Sequence, residues 1–406
     1  MATPALDETF KREWPRILAS LARYTGSLDL AEDAVQEAFA RAAAVRDREV
    51  LINPAAWITT VAKRIAVDTV RRDALLRERL PLLLPEDGAP APEPVPGGDD
   101  RLGLLFATCT PALDAETRLA LALRFVCGAG TAEIADAMLV GHTAMSARIT
   151  RAKRRIEREG VRFELPTGAD LSARLHDVLA CVHLLYTIGH TSLAGATVTS
   201  VPVTRTALDL ARALRTVAPA DHETAGLLAL LLLTEARAPG RVGPDGGVRS
   251  LEDADRGRWD RRAIGEGLAL AAFALEGGGR FALEAGISGL HSQAPDWPST
   301  DWPAICRLYD RLVEQWPSPA AHVARLIARS FLPGGAAEAL EGLERLLAEP
   351  TGVPRQVIAA RADVLRRLGR VSEARAAYVE ARNIERNDAV RFYFGTRISQ
   401  LEGQRP

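Results

Sequence analysis

The chain has few cysteines, and none of them forms a CxxC pair: Cys109, Cys127, Cys181 and Cys306. Zinc sites and disulfide frameworks need closely spaced cysteines, so neither is predicted. The net charge is -1, so a uniformly basic nucleic-acid binder is excluded. Aromatic residues make up only 5%, which suits close packing of helices. The most apolar run, 225–233, is shorter than the roughly 20 residues that span a bilayer, and the N-terminus lacks a signal-peptide core. We therefore expect a cytoplasmic protein that does not contact a membrane.

Motifs of catalytic chemistry are also missing. The sequence contains no P-loop, no Rossmann fingerprint and no Gly-x-Ser-x-Gly, so neither an enzyme nor a cofactor is predicted. His176, His183 and His190 recur every seven residues. Histidines that share a metal ion on one helix are three or four residues apart, so no metal site is predicted.

The composition that remains, 47% hydrophobic and 25% charged, is that of a globular protein. Strand patterns are sparse and helical periodicity is widespread, which predicts an all-α fold. Residues 81–100 read PLLLPEDGAPAPEPVPGGDD, in which proline and glycine predict a linker. The predicted segments are therefore 1–80, the linker 81–100, 101–165, 166–290 and 291–406.

The first segment predicts three helices. The first has an apolar stripe made by Phe10, Trp14, Ile17, Leu18 and Leu21. The second is expected to begin near an N-cap at Asp29. Its inward residues would be Leu30, Ala34, Val35, Ala38 and Phe39. Its other face carries Glu32, Asp33, Gln36 and Glu37, which taken alone indicates a solvated acidic face.

The third helix is predicted to start at Asn53-Pro54, a cap followed by proline in the first turn. Its expected core stripe is Trp57, Ile58, Val61, Ile65 and Thr69. Four basic side chains lie away from that stripe: Lys63, Arg64, Arg71 and Arg72. An acidic helix is thus followed directly by a basic one.

The segment 101–165 ends in a predicted helix-turn-helix, with an N-cap at Thr131 and a turn at 139–141. Its second helix has an apolar stripe formed by Met145, Ile149, Ala152 and Ile156. The residues expected to face base edges are His142, Thr143, Ser146 and Ala147. Those expected to hold the DNA backbone are Arg148, Arg151 and Lys153. The alternative is a basic, solvated helix in an ordinary helical domain.

These motifs together resemble the extracytoplasmic-function (ECF) sigma factors, which also join two such blocks by a short linker. The resemblance implies that the acidic helix docks on the clamp helices of the largest subunit of core RNA polymerase through Asp33, Gln36, Glu37 and Phe39. It implies −10 promoter contacts through Asn53, Pro54, Trp57, Lys63, Asp68, Arg71 and Arg72. Many relatives have asparagine where this chain has Arg64, which adds phosphate affinity here. The helix-turn-helix resembles the region that recognises the −35 element.

The extension behind residue 165 contains a tetratricopeptide (TPR)-like pattern at Ala362, Gly369, Ala374, Tyr378 and Ala381. A weaker copy runs through Gly334, Ala339, Leu343 and Leu346, and Ala339 lies 35 residues before Ala374, near the period of about 34. The concave surface of such repeats usually takes a protein partner. The chain as a whole resembles the ECF subgroup with a TPR-like C-terminal domain, for which the motif DGG…LEDADRGRWD is typical.

Four residues of that motif are candidates for a regulatory contact with the sigma domains or with polymerase: Asp253, Asp255, Arg256 and Trp259. The alternative is a turn followed by a capped, salt-bridged helix. The preferred interpretation of the chain is a sigma factor that binds core polymerase and promoter DNA and is regulated in cis by its extension. The alternatives are a one-component helix-turn-helix regulator with a TPR sensor and a TPR scaffold, which leaves residues 1–165 unexplained.

Overall fold

A computed structural model describes residues 4–46, 53–78, 100–138, 140–190, 201–241, 243, 248–348 and 354–403. Within these ranges the chain forms eighteen α-helices and no extended β-strand, which confirms the all-α prediction. The residues group into two compact units. The first unit comprises 1–187 and 202–213, and the second comprises 188–201 and 214–406. None of the described helices combines the length and apolarity that a membrane span requires.

The first unit begins with three helices, α1 (Pro4–Thr25), α2 (Leu28–Arg46) and α3 (Pro54–Glu78), which pack against one another. The α1 stripe is buried as predicted from Trp14 to Leu21, while the side chain of Phe10 lies outside the described part. The start of α2 differs from the prediction. Ser27 Oγ accepts a hydrogen bond from the Leu30 N–H at 3.4 Å, so Asp29 lies inside the first turn.

The start of α3 agrees with the prediction, because Asn53 Oδ1 accepts a hydrogen bond from the Ala56 N–H at 3.1 Å. Its core face is rotated from the predicted stripe. Ile58 is buried as expected, but the other buried positions are Ala62 and Ala66. Small residues face the neighbouring helices because α3 packs closely on both α1 and α2, and the larger predicted side chains are half-buried beside them.

The second block of the first unit consists of α4 (Asp100–Thr108), α5 (Ala115–Leu121), a π-helical segment (Ala122–Val126), α6 (Thr131–Ala137) and α7 (His142–Arg158). It packs on α1 through α4 and the π-helical segment. Gly128, at φ 73°, lies where a Cβ would be 3.6 Å from Trp14 Cδ1. The two blocks therefore share one core, although residues 81–99 of the predicted linker lie outside the described residues.

Two further helices follow, α8 (Gly168–His190) and α9 (Val201–Val217). Asp177 of α8 pairs with Arg118 at 2.7 Å, and Arg174 donates to the Phe106 carbonyl. Leu179 and Val182 of α8 are buried. The start of the extension thus completes the packing of the first unit.

The second unit contains α10 (His222–Glu235), α11 (Arg261–Gly277), α12 (Arg280–Gln293), α13 (Trp302–Gln315), α14 (Pro319–Arg329), α15 (Gly335–Ala348), α16 (Pro354–Arg367), α17 (Val371–Ile384) and α18 (Asp388–Glu402). Helices α13, α15 and α17 begin 33 and 36 residues apart, and α14, α16 and α18 begin 35 and 34 residues apart. The predicted repeat positions Ala362, Ala374, Tyr378 and Ala381 are buried, and Gly369 has φ 71°. Helix pairs thus recur at a spacing typical of TPR-like repeats.

Candidate nucleic-acid interface

The turn before α7 sets the direction of that helix. The N-cap of α6 is Gly130 and not the predicted Thr131, because the Glu133 carboxylate folds back to accept from the Gly130 N–H at 2.7 Å. After α6, the Val140 N–H donates to the Ala135 carbonyl at 2.9 Å. Leu139, in the predicted turn, lies outside the described residues.

The inner face of α7 agrees with the prediction. Its four apolar stripe residues are buried: Met145, Ile149, Ala152 and Ile156. The face predicted for base edges is accessible at its start, where His142, Thr143 and Ser146 are exposed and Ala147 is half-buried. The helix-turn-helix interpretation therefore has the surface that it needs.

Five arginines of α7 line a concavity of about 600 Å³, here called the basic groove: Arg148, Arg151, Arg154, Arg155 and Arg158. Its opposite wall includes Asp114, which caps α5 by accepting from the Thr117 N–H at 2.8 Å. That hydrogen bond holds the pKa of the Asp114 carboxyl below its usual value. A groove with this charge suits a phosphate backbone.

Only two members of the basic groove are predicted from the sequence as backbone contacts: Arg148 and Arg151. Arg154, Arg155 and Arg158 follow Arg151 at helical spacings of three, four and seven residues, the signal that marks one face of a helix. Lys153, in contrast, lies off this stripe. Lys153 is predicted to contact the DNA backbone, but in the structure it lies away from the basic groove.

Lys153 points toward α2 and forms ion pairs with Asp29 and with Glu32, the latter at 3.1 Å. Glu32 also accepts from Arg124 at 2.5 Å, and its side chain is only 9% exposed. Burial acts to lower the pKa of Lys153, but the two carboxylates outweigh it and raise that pKa above its usual value. These four residues are called the Glu32 cluster. Glu32 is thus buried, in contrast to its predicted place on the solvated acidic face.

The remainder of that acidic face is accessible. Asp33, Gln36 and Glu37 are exposed on α2, and Glu37 pairs with Arg41 at 2.7 Å. Phe39 is buried, with its ring centroid 6.0 Å from that of Trp14. The structure therefore brings three of the four predicted docking residues to one surface and places Phe39 in the core behind them.

The residues predicted for the −10 element lie along α3. Asn53 is occupied as the helix cap, and Trp57 is half-buried at the same end. Asp68 is exposed, and so are the four basic side chains Lys63, Arg64, Arg71 and Arg72. The helix thus presents basic, solvent-facing side chains between residues 63 and 72.

The candidate regulatory residues lie in the second unit and have partners there. Asp253 accepts from Arg397 Nη2 at 2.5 Å, and Asp255 accepts from the Gly257 N–H at 2.9 Å. Arg256 donates to two backbone carbonyls of the α12 end, at 2.9 and 2.6 Å, and burial lowers its pKa. Trp259 is buried beneath Arg256, whose guanidinium carbon is 4.7 Å from the ring centroid. A structural role is thus visible for all four.

The chain matches two family models. Residues 9–75 match Sigma-70 region 2, and residues 174–275 match a family of unknown function, DUF6596. The first match covers α1 to α3, the helices that carry the acidic and basic faces. No solved structure matches the chain.

Two curated proteins are similar to the chain. The uncharacterized protein R00370 of Rhizobium meliloti (strain 1021) is 36% identical over 400 residues, which cover 96% of this chain and 94% of that protein. The ferric citrate uptake sigma factor FecI of Escherichia coli (strain K12) is 32% identical over 124 residues, which cover 30% of this chain and 71% of FecI. The similarity to R00370 includes the second unit.

Proposed function

Because the chain belongs to the sigma-70 family of RNA polymerase sigma factors, we propose that it is an ECF-type sigma factor that brings core polymerase to promoters and starts transcription there. The basic groove beside the exposed start of α7 is the observation that carries this proposal. The start of a recognition helix approaches base edges, while a basic flank holds the phosphates. His142, Thr143 and Ser146 would therefore contact the −35 element, and the arginines of the groove its backbone.

The exposed side of α3 supports the second promoter contact. Four exposed basic side chains would neutralise phosphates of the −10 element: Lys63, Arg64, Arg71 and Arg72. Trp57 is half-exposed at the capped end. Aromatic side chains stack on unpaired bases, so the Trp57 end suits the unwound strand.

The acidic side of α2 supports docking to core polymerase. Asp33, Gln36 and Glu37 are exposed within two helical turns, and Phe39 and Trp14 hold that face from beneath. We assign the contact with the clamp helices to this surface. Phe39 would act by positioning α2 and not by direct contact.

We also propose that the extension regulates the sigma function in cis. Its first helix, α8, packs into the first unit through Asp177 and Arg174, and it connects directly to the residues of the second unit. A truncation after residue 164 would remove Leu179 and Val182 and so expose the core that they cover. Point substitutions are therefore a better test of regulation than truncation.

Core binding and run-off transcription test the proposal. The purified full chain should form a stable complex with core polymerase and support transcription from a cognate promoter. Asp33→Ala/Glu37→Ala should weaken core binding. The matched control is Glu338→Ala/Glu341→Ala, which removes two exposed carboxylates from α15. Promoter binding that is independent of core would instead favour a one-component regulator, and an unchanged core affinity of the α2 variant would reject the docking surface.

A further inference from the structure

A short segment of the second unit lies across several of its helices. This strap, residues 248–256, precedes α11 in the chain and contacts residues far from it in sequence. Arg256 binds the end of α12, Glu252 pairs with Arg366 of α16 at 3.2 Å, and Asp253 pairs with Arg397 of α18 at 2.5 Å. The strap therefore follows a face formed by alternate helices. Stacked helical repeats often bind partner proteins through an extended surface that spans several helices.

The strap is fixed at one end and weakly held at the other. Arg256 is buried, and Trp259 behind it belongs to an apolar core. From 248 to 255, all of which the structure describes, no side chain is fully buried, although Leu251 and Ala254 pack half-buried against the same core. The side chains of Glu252 and Asp253 are about one-third exposed, so solvent partly screens both ion pairs, less so for Asp253, whose partner Arg397 is only 11% exposed. The end that carries the two carboxylates can therefore detach while the anchor stays in place.

Detachment leaves the arginines with partners of their own. Arg366 keeps Asp363 at 3.4 Å, and Arg397 keeps the Tyr393 hydroxyl at 3.1 Å. Arg366 would keep a carboxylate partner, whereas Arg397, which is only 11% exposed, would lose its ion pair with Asp253 and keep hydrogen bonds to neutral groups, which favours another carboxylate in that place. Both guanidinium groups would still face the surface that the strap had covered and could bind another carboxylate.

The strap also covers a cavity of about 270 Å³. Leu251 contributes to one wall, and aromatic rings form another. Trp302 stacks on Phe331 with ring centroids 3.9 Å apart, and Trp297 meets the Trp302 ring edge-on at 4.9 Å. The volume is slightly below the roughly 300–1,000 Å³ of small-molecule pockets and suits one large side chain. Leu251 is half-buried and leaves this space unfilled.

We propose that this face is a binding site for an acidic peptide in which a large apolar residue precedes two carboxylates, and that the strap is its internal competitor. The apolar residue would enter the aromatic cavity, and the carboxylates would replace Glu252 and Asp253 on Arg366 and Arg397. Such a peptide would carry the same order of one apolar and two acidic residues as Leu251, Glu252 and Asp253 of the strap. The proposal needs neither polymerase nor DNA, so it can fail without affecting the promoter-binding proposal.

Fluorescence anisotropy with the labelled peptide Ser-Leu-Glu-Asp-Ala-Asp tests it on the full chain. Glu252→Gln/Asp253→Asn should bind this peptide roughly tenfold more tightly than the wild type does, because removing an internal competitor raises the fraction of open sites. A peptide with tryptophan in place of leucine should bind more tightly still. A peptide with glutamine and asparagine in place of its first two acidic residues should not bind.

Adding Arg366→Gln/Arg397→Gln to the open-strap variant should abolish binding. The matched control is Arg391→Gln, an exposed arginine of α18 that pairs with Asp388, and it should have no effect. Equal affinities of wild type and open-strap variant, or no binding by a variant that circular dichroism shows to be folded, would overturn the proposal. An open-strap variant that does not fold would also overturn it, because the strap would then be part of the core and not displaceable.

Discussion

The Glu32 cluster ties α2 to α7, and its disruption should affect stability and DNA binding in opposite directions. Glu32 receives hydrogen bonds from Arg124 and Lys153, which lie in the other block of the first unit. Glu32→Gln keeps the size of the side chain and removes its charge. We expect this variant to unfold more easily and yet to bind DNA more tightly.

The expected loss follows from the exposure of the partners. Removing one member of a fully buried ion pair costs about 3–5 kcal/mol, whereas exposed pairs contribute about 0–1 kcal/mol. Side-chain exposures of 9% for Glu32, 21% for Arg124 and 18% for Lys153 lie between these limits. Lys153 retains Asp29, which reduces the penalty. The free energy of unfolding should therefore fall by about 2 kcal/mol.

Urea denaturation followed by circular dichroism measures the loss, and filter binding across a salt series measures DNA affinity. In the DNA complex, Lys153 released from Glu32 can exchange Asp29 for a phosphate, so the salt dependence should steepen by about one ion. Glu32→Gln/Lys153→Met should return the salt dependence to that of the wild type. The matched control is Asp33→Asn, which removes the same charge from an exposed position and should change stability by less than about 0.5 kcal/mol.

Two results would refute this reasoning. If Glu32→Gln and Asp33→Asn have the same stability, then the buried ion pairs do not hold the two blocks together. If the salt dependence of Glu32→Gln/Lys153→Met stays as steep as that of Glu32→Gln, then Lys153 does not gain a phosphate contact.

The remaining predictions concern the basic groove, a close backbone approach and a buried imidazole. Arg154→Gln/Arg155→Gln should weaken binding to all DNA sequences alike and lower the salt dependence by about two ions, and a loss confined to one promoter would contradict the phosphate assignment. Gly240→Ala should cost about 1–3 kcal/mol, because its Cβ would lie 2.6 Å from a buried indole nitrogen. Gly265→Ala in α11, where a Cβ has nothing within 4 Å, should instead stabilise by about 0.5–1 kcal/mol, and thermal unfolding distinguishes the pair. Burial and nearby arginines lower the pKa of His291 to about 3, so its neutral form is favoured by folding. Stability from this group should be complete above pH about 6.5 and fall by about 2 kcal/mol at pH 5, and His291→Gln should flatten that decline in urea titrations.

The helices of the first unit could be predicted in type and order because their apolar periodicity and capping residues are local. The Asn53 cap and the α7 stripe from Met145 to Ile156 need no knowledge of distant residues. The caps at Asp29 and Thr131 were predicted wrongly, since Ser27 and Gly130 take that role. Ser27 and Asp29, and likewise Gly130 and Thr131, are all residue types that favour the N-cap position, so the residue type alone does not choose between close neighbours.

In the candidate interface, too, some features could be predicted from local sequence and others could not. The basic stripe on α7 was predictable from the spacing of its arginines. The position of Lys153 was not, because only the packing of α7 beside α2 brings this side chain to Glu32. The burial of Phe39 was expected from its apolar stripe. Its docking role, which the resemblance implies, stays a prediction, and because the side chain is buried that role would be indirect.

The sequence by itself determined the all-α class, the basic face of α7 and the regular spacing of helices in the extension, because each depends on a period of a few residues or on a regular spacing. Tertiary structure decided which charges remain available. Glu32 and Lys153 are 121 residues apart, and Asp253 and Arg397 are 144 apart. The sequence does not show which way a charged side chain points in the folded protein. Only the packing of distant helices determines whether it meets solvent, a nucleic acid or a counter-charge of the same chain.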